Sequence, residues 1–120
     1  MGARIVFVGD DFTGASDSLA TYERAGMRAR MVLGDAGSDG LDALGLPTDL
    51  RSLTPARARD EIARLWPRIA AEAPEVIHFK VCSTFDSAPE VGSIGAVTQA
   101  LIDRFSPDVV AVIGGQPSLG

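Results

Sequence analysis

Cysteine is almost absent from this chain. Cys82 is the only one in 120 residues, so neither an intrachain disulfide nor a cysteine-based zinc site can form, which suits a reducing compartment. Long apolar runs are missing as well. The longest span about five residues, against the roughly twenty a membrane helix needs, and they are too short for the apolar part of a secretory signal. No membrane partner is expected. Met1-Gly2 opens like a myristoylation signal, but Val6 stands where serine or threonine is required. Cytoplasmic location is the expectation. Positive charge is scarce: 11 Lys and Arg face 16 Asp and Glu, for a net charge of −5. The basic residues are dispersed rather than clustered, which argues against a nucleic-acid partner. His78, the single histidine, has no metal-ligand spacing to anything, and no metal site is expected. Neither Gly-x-x-x-x-Gly-Lys-Ser/Thr nor Gly-x-Gly-x-x-Gly occurs. A nucleotide, if one is used, is bound outside this chain.

What is present is ordinary for a globular protein: 46% of residues are hydrophobic and 22% charged, enough for one domain and one core. The Gly/Pro-rich close, Gly114-Gly115-Gln116-Pro117-Ser118-Leu119-Gly120, normally leads to another element. The chain therefore reads as an incomplete domain of a longer protein.

The organising stretch is Ile5-Val6-Phe7-Val8-Gly9-Asp10-Asp11-Phe12-Thr13-Gly14-Ala15. Four apolar residues in a row predict a strand buried on both faces, as in a parallel sheet. A helix is predicted over residues 15–25, with Thr13 as a plausible N-cap, Asp17 in its first turn and Gly26 as its C-terminal stop. A second strand is predicted over 28–33. The loop 34–40 carries two aspartates, but Gly37 and Leu46 occupy the liganding positions of a calcium loop, so a plain surface loop is expected. A short strand falls within 44–53, weakened by Pro47. Thr54-Pro55 starts a helix whose face is Ala58, Ile62, Leu65 and Ile69, with a kink expected at Pro67 and an end at Pro74. Val76 to Val81 is the next strand. Ser93 caps a helix with Ile94, Val97, Leu101, Ile102 and Phe105 on one face. Val109 to Ile113 is predicted as a final buried strand. The order implies a mostly parallel open sheet with helices on both faces, a three-layer α/β/α arrangement.

In that topology the polar stretches Asp10–Gly14, Cys82–Ser87 and Gly114–Gly120 follow strand ends and open on one sheet edge, where ligands bind. Asp10 and Asp11 are adjacent, so they point to opposite sides of an extended backbone and serve different jobs. One can take a proton from a substrate hydroxyl; the other can bind hydroxyls or cap the helix. Thr13 and Gly14 sit at a helix N-terminus, which suits a carboxylate or phosphate. Lys80 ends an apolar strand and needs a partner, for which Asp10 or Asp11 is expected. Ser83, Thr84, Asp86 and Ser87 supply hydroxyls and a carboxylate that suit a polyhydroxylated ligand. His78 is expected to be a satisfied structural residue, and Cys82 a small buried hydrophobe.

Two stretches carry a specific resemblance: Gly9-Asp10-Asp11-Phe12-Thr13-Gly14-Ala15-Ser16-Asp17, and Lys80 through Gly95 with Cys82-Ser83-Thr84-Phe85-Asp86-Ser87 at its start. Together they resemble the N-terminal domain of the four-carbon acid sugar kinase family, once a domain of unknown function. Thr48 to Leu53 and Pro117 to Gly120 resemble it too. The resemblance implies an ATP-dependent kinase acting on threonate, erythronate or 3-oxo-tetronate type acids, with ATP and Mg²⁺ held by a C-terminal domain absent from this chain. It implies that Asp10, Asp11, Thr13, Gly14, Lys80, Ser83, Thr84 and Asp86 line the substrate site, and that Arg51 reaches the carboxylate. The Cys-Ser-Thr-Phe-Asp-Ser loop departs from the commoner Asp-Ser-Thr-x-Arg-Gly form, which bears on which acid is bound. A homo-oligomer is compatible with this reading. Related sequences have carried an effector label, which nothing in the composition supports. The rivals are a receiver-like phospho-accepting domain, for which Asp49 is a poor acceptor and Lys80 comes too early, and a haloacid-dehalogenase-type phosphatase, whose Asp-x-Asp fails at Phe12. A non-catalytic interaction domain is a further alternative for the chain alone.

Overall fold

A computed structural model of the chain describes residues 2–32, 39–81 and 87–113. Four strands form one sheet in the order β2-β3-β1-β4: β1 is Ile5–Gly9, β2 Ala29–Met31, β3 Ala43–Pro47 and β4 Val76–Lys80. Every pairing is parallel. Helices α1 (Phe12–Arg24), α2 (Pro55–Glu72) and α3 (Ile94–Phe105), with a short 3₁₀ turn η1 (Leu50–Ser52), connect them.

The central strands are buried because both faces are covered. Alternate residues of β1 go to opposite faces. Val6 and Val8 join Leu44, Leu46, Ile62, Ile69, Val97 and Leu101 in the main core, the side of α2 and α3. Phe7 points the other way, with its ring 5.1 Å from that of Tyr22 on α1. Gly45 pairs with Phe7 in register, and a Cβ there would run into the Phe7 ring. Glycine at this position lets the aromatic ring lie across β3.

The chain travels outward from β1 through α1 to β2, then back from β3 through α2 to β4. Right-handed crossovers in opposite directions put α1 and α2 on opposite faces. Adjacent strands β1 and β3 therefore send their connections to different sides. In open α/β sheets the carboxyl ends at such a reversal are the usual ligand position. The mostly parallel, helix-covered sheet predicted from the sequence is the one observed.

Local signals mostly hold. Thr54 caps α2 by accepting from the Arg57 N–H at 3.3 Å, and Ser93 caps α3 by accepting from Ala96 at 3.1 Å. Gly26 stops α1 with a left-handed φ of 86°. Several boundaries differ. Helix α1 starts at Phe12, three residues earlier than periodicity suggested, which leaves Asp17 beyond its first turn. Strand β3 ends at Pro47, where a missing N–H costs least. Helix α2 runs through Pro67, at the expense of the bond to the Ala63 carbonyl, and ends at Glu72 with Ala73 left-handed. The segment 109–113 is not a strand: Val109 is 80% and Ile113 85% exposed. Its apolar β-branched residues fit a strand, but pairing, not propensity, makes one. The loop 34–38 and the segment 114–120 lie outside the described residues.

Candidate functional site

The candidate site is built from the ends of β1, β3 and β4. Asp10 continues β1, and its N–H donates to the Lys80 carbonyl at 3.1 Å. On the other side, the Thr48 N–H and hydroxyl both donate to the Gly9 carbonyl, at 3.0 and 2.7 Å. The Thr48 oxygen also accepts from Leu50 N–H at 3.2 Å, and Arg51 N–H donates to the Asp10 carbonyl at 3.2 Å. Thr48 thus ties η1 to the end of β1. From beyond β4, Gly92 N–H donates to the Leu53 carbonyl at 2.8 Å. Gly92 has φ +65°, and a Cβ on it would lie 2.5 Å from the Arg51 carbonyl oxygen. Only glycine fits at that approach.

This scaffold holds Arg51 over both aspartates. Its Nη2 lies 3.0 Å from Asp11 Oδ2, and its Nε 3.6 Å from Asp10 Oδ2. The second distance is an ion pair without a hydrogen bond. Asp11 is the N-cap of α1, the place given above to Thr13: its Oδ1 accepts from Gly14 N–H at 2.6 Å. Both of its oxygens are thus engaged. Asp10 differs. It is only 5% exposed, and its Oδ1 has no hydrogen-bond partner among the described residues. Burial pushes the Asp10 carboxyl above its ordinary range; Arg51 pulls it back, Asp11 pushes it up and Lys80 lowers it.

Lys80 does not pair with either aspartate. Its Nζ donates to the Val81 carbonyl at 2.6 Å, and its side chain runs past the first turn of α1, where a Cβ on Gly14 would sit 3.6 Å from Lys80 Cγ. Arg51 takes the counter-ion role expected of Lys80, because η1 brings a longer, forked cation to the same edge. Thr13 is exposed in the first turn. By the rule of helix ends, the N–H groups of Phe12 and Thr13 find no carbonyl within the helix. Ser83, Thr84, Asp86 and Cys82 lie outside the described residues. His78 is structural: its Nδ1 is 2.8 Å from the Tyr22 hydroxyl, and burial, with Lys80 beside it, pushes its pKa down.

Reasoning from residues missed the contribution of β3. Arg51 entered only through the resemblance, and Thr48 and Gly92 were given no role. The available signal was the polar run Thr48-Asp49-Leu50-Arg51-Ser52 after an apolar stretch, obscured by Pro47.

Magnesium does not fit the residues described. They contain no group of three or more His, Cys, Asp or Glu placed to hold a metal ion, and the two carboxylates at the site already share Arg51. Among the described residues no helix is long and apolar enough to cross a membrane.

An acidic pair under one arginine, at the reversal point of a parallel sheet with helices on both faces, marks a doubly wound α/β domain with a candidate site at its strand ends. Residues 5–120 match the model of the sugar-binding N-terminal domain family, and the chain belongs to that family. It is 36% identical over 120 residues to a 3-oxo-tetronate kinase of Pseudomonas fluorescens, covering 94% of this chain and 27% of that protein. A 3-oxo-isoapionate kinase of Paraburkholderia graminis is 30% identical over 124 residues, 98% of this chain and 26% of its own length. A crystal structure from Salmonella typhimurium LT2, described as a tRNA synthase, superposes with a TM-score of 0.77 at 30% identity, over 85% of this chain and 25% of that one. The chain spans about a quarter of the length of these relatives. The receiver reading has no support in the topology, since receivers place β1 beside β2 and here β3 lies between them.

Proposed function

We propose that the chain is the acid-binding part of an ATP-dependent kinase that phosphorylates a hydroxyl of a four-carbon sugar acid of the threonate, erythronate or 3-oxo-tetronate type. One observation carries the reading: a buried carboxylate whose Oδ1 has no partner among the described residues, that of Asp10, beside a forked cation, Arg51. A sugar acid needs both functions, a cation for its carboxylate and an acceptor for its hydroxyl proton. The names of the kinase relatives support it. The net charge of −5 gives no footing for a nucleic acid such as tRNA.

Arg51 and the open N–H groups of the first turn of α1 hold the substrate carboxylate. Asp10 accepts the proton of the reacting hydroxyl, a role Asp11 cannot take while its oxygens serve Gly14 and Arg51. Carboxylates raised toward neutrality are better bases at working pH. Lys80 offsets charge at the same edge. Ser83, Thr84 and Asp86 bind the remaining hydroxyls. ATP and magnesium would be held by residues other than those described, where they would supply the phosphoryl group; this chain's contribution is to position the acceptor. The test is phosphorylation of a panel of four-carbon sugar acids by the full-length protein. Transfer to these acids but not to the matching neutral polyols supports the reading; no transfer to any of them removes it.

A further inference from the structure

Among the described residues one guanidinium bridges two carboxylates, and a bound anion would compete with them for it. In the free site Arg51 spans Asp10 and Asp11 at 3.6 and 3.0 Å. Its side chain is 35% exposed while that of Asp10 is 6% exposed, so the arginine can reach outward and the aspartate cannot follow. Asp11 keeps a second partner in Gly14 N–H whatever Arg51 does. Asp10 has no such reserve among the described residues, because its Oδ1 is already without a donor.

We propose that a carboxylate ligand draws Arg51 partly away from Asp10, and that a proton from solvent binds Asp10 Oδ1 in compensation. This rests on the acid-binding reading above and adds a linkage to it. Among the described residues, the charges facing Asp10 are Arg51 from η1, Asp11 from its own segment and Lys80 from β4. Lys80 is committed to the Val81 carbonyl and cannot replace the guanidinium at contact distance. Adding a ligand anion while Arg51 turns toward it leaves a buried carboxylate with less compensation, so its proton affinity rises. The proton comes from a buffer acid, whose conjugate base stays in solution. Burial already lifts Asp10 in the free site, and withdrawal of the guanidinium acts in the same direction.

Binding and turnover then respond to pH in opposite senses. Acid binds more tightly as pH falls, by up to about tenfold per unit at full coupling. Turnover falls over the same range, because the base is protonated. The acidic limb of kcat, which reports the complex, lies at higher pH than that of kcat/KM, which reports the free enzyme.

The experiment is titration calorimetry of the full-length protein with threonate and with erythronate, at pH 6 and pH 7, in buffers of different ionisation enthalpy. The expected result is an observed enthalpy that varies with buffer, giving a net uptake above zero and at most about one proton, and no uptake for Asp10→Asn. Measurable binding with no uptake overturns the linkage and leaves the acid-binding reading intact. Uptake that persists in Asp10→Asn overturns it too, by placing the proton elsewhere. Should Asp10→Asn not fold, the wild-type order of the kcat and kcat/KM limbs decides. No binding of either acid removes the linkage together with the threonate and erythronate forms of the acid-binding reading.

Discussion

The Nη2 of Arg51 lies 3.0 Å from Oδ2 of Asp11, and the same guanidinium places Nε 3.6 Å from Asp10. The two aspartates are neighbours in sequence but not in circumstance. Asp11 is half-open and also caps a helix; Asp10 is buried, with one oxygen unengaged among the described residues. Arg51 is what makes two carboxylates at one strand end tolerable.

Replacing Arg51 by alanine should therefore cost more than replacing a surface arginine. A buried carboxylate left without compensation is worth about 1–3 kcal/mol. The melting temperature of the full-length variant should fall relative to wild type, and by less as pH drops and Asp10 takes a proton. For Arg51→Lys, KM for the sugar acid should rise at least about tenfold, because a point charge does not reproduce the fork. Steady-state kinetics with the acid as varied substrate check this.

Gly92→Ala should act on the same residue from behind. A Cβ would meet the Arg51 carbonyl at 2.5 Å, in a backbone of φ +65°. A loss of about 1–3 kcal/mol is expected from strain, and KM should rise as η1 shifts. Thermal melting with a KM measurement tests both. Unchanged values would mean the 87–92 segment does not hold η1.

Gly92 also marks where local sequence signals run out. Strand β1, the Thr54 and Ser93 caps and the alternation of β and α were legible because local chemistry sets them: an apolar run, a hydroxyl before a helical face, a proline at the first turn. Asp10 and Asp11 were legible as a candidate site because two adjacent carboxylates at a strand end repel, a cost that helix capping alone does not require. The division of labour between them was not, since it depends on η1 arriving from β3. The close approach of Gly92 to Arg51 joins positions far apart in sequence, which no local pattern reveals. The expected Lys80 pairing failed for the same reason, as Arg51 reached the pair first. The segment 109–113 has a strand's composition without a strand's partner among the described residues.

Tyr22→Phe should leave catalysis alone. It removes the hydroxyl 2.8 Å from His78 Nδ1, leaving a half-buried ring nitrogen without its partner, at a cost of about 1 kcal/mol. Melting should shift down by a few degrees while kcat stays within about twofold of wild type. A large fall in kcat would give His78 a catalytic part that its place against α1 does not suggest.

Asp10 should leave a signature in stability against pH. Its folded pKa lies above the ordinary value of 3.8, so the folded chain binds the proton more tightly than the unfolded one. Its contribution is favourable at low pH and is lost as pH rises through the folded value, at about 1.4 kcal/mol for each pH unit separating the folded from the unfolded pKa. Asp10→Asn lacks this dependence. Relative to wild type, the variant should gain stability as pH rises above the ordinary carboxylate value of 3.8 and through the folded one, which melting curves against pH would show.

The most direct test compares full-length Asp10→Asn and Asp11→Asn with wild type in a phosphoryl-transfer assay on a four-carbon sugar acid. Asp10→Asn should lose about 10²- to 10⁴-fold in kcat with KM changed little, as expected for a missing general base. Asp11→Asn should keep most of its kcat, since an asparagine oxygen still caps α1. The reverse ranking, or full turnover by Asp10→Asn, would contradict the assignment of Asp10 as the base.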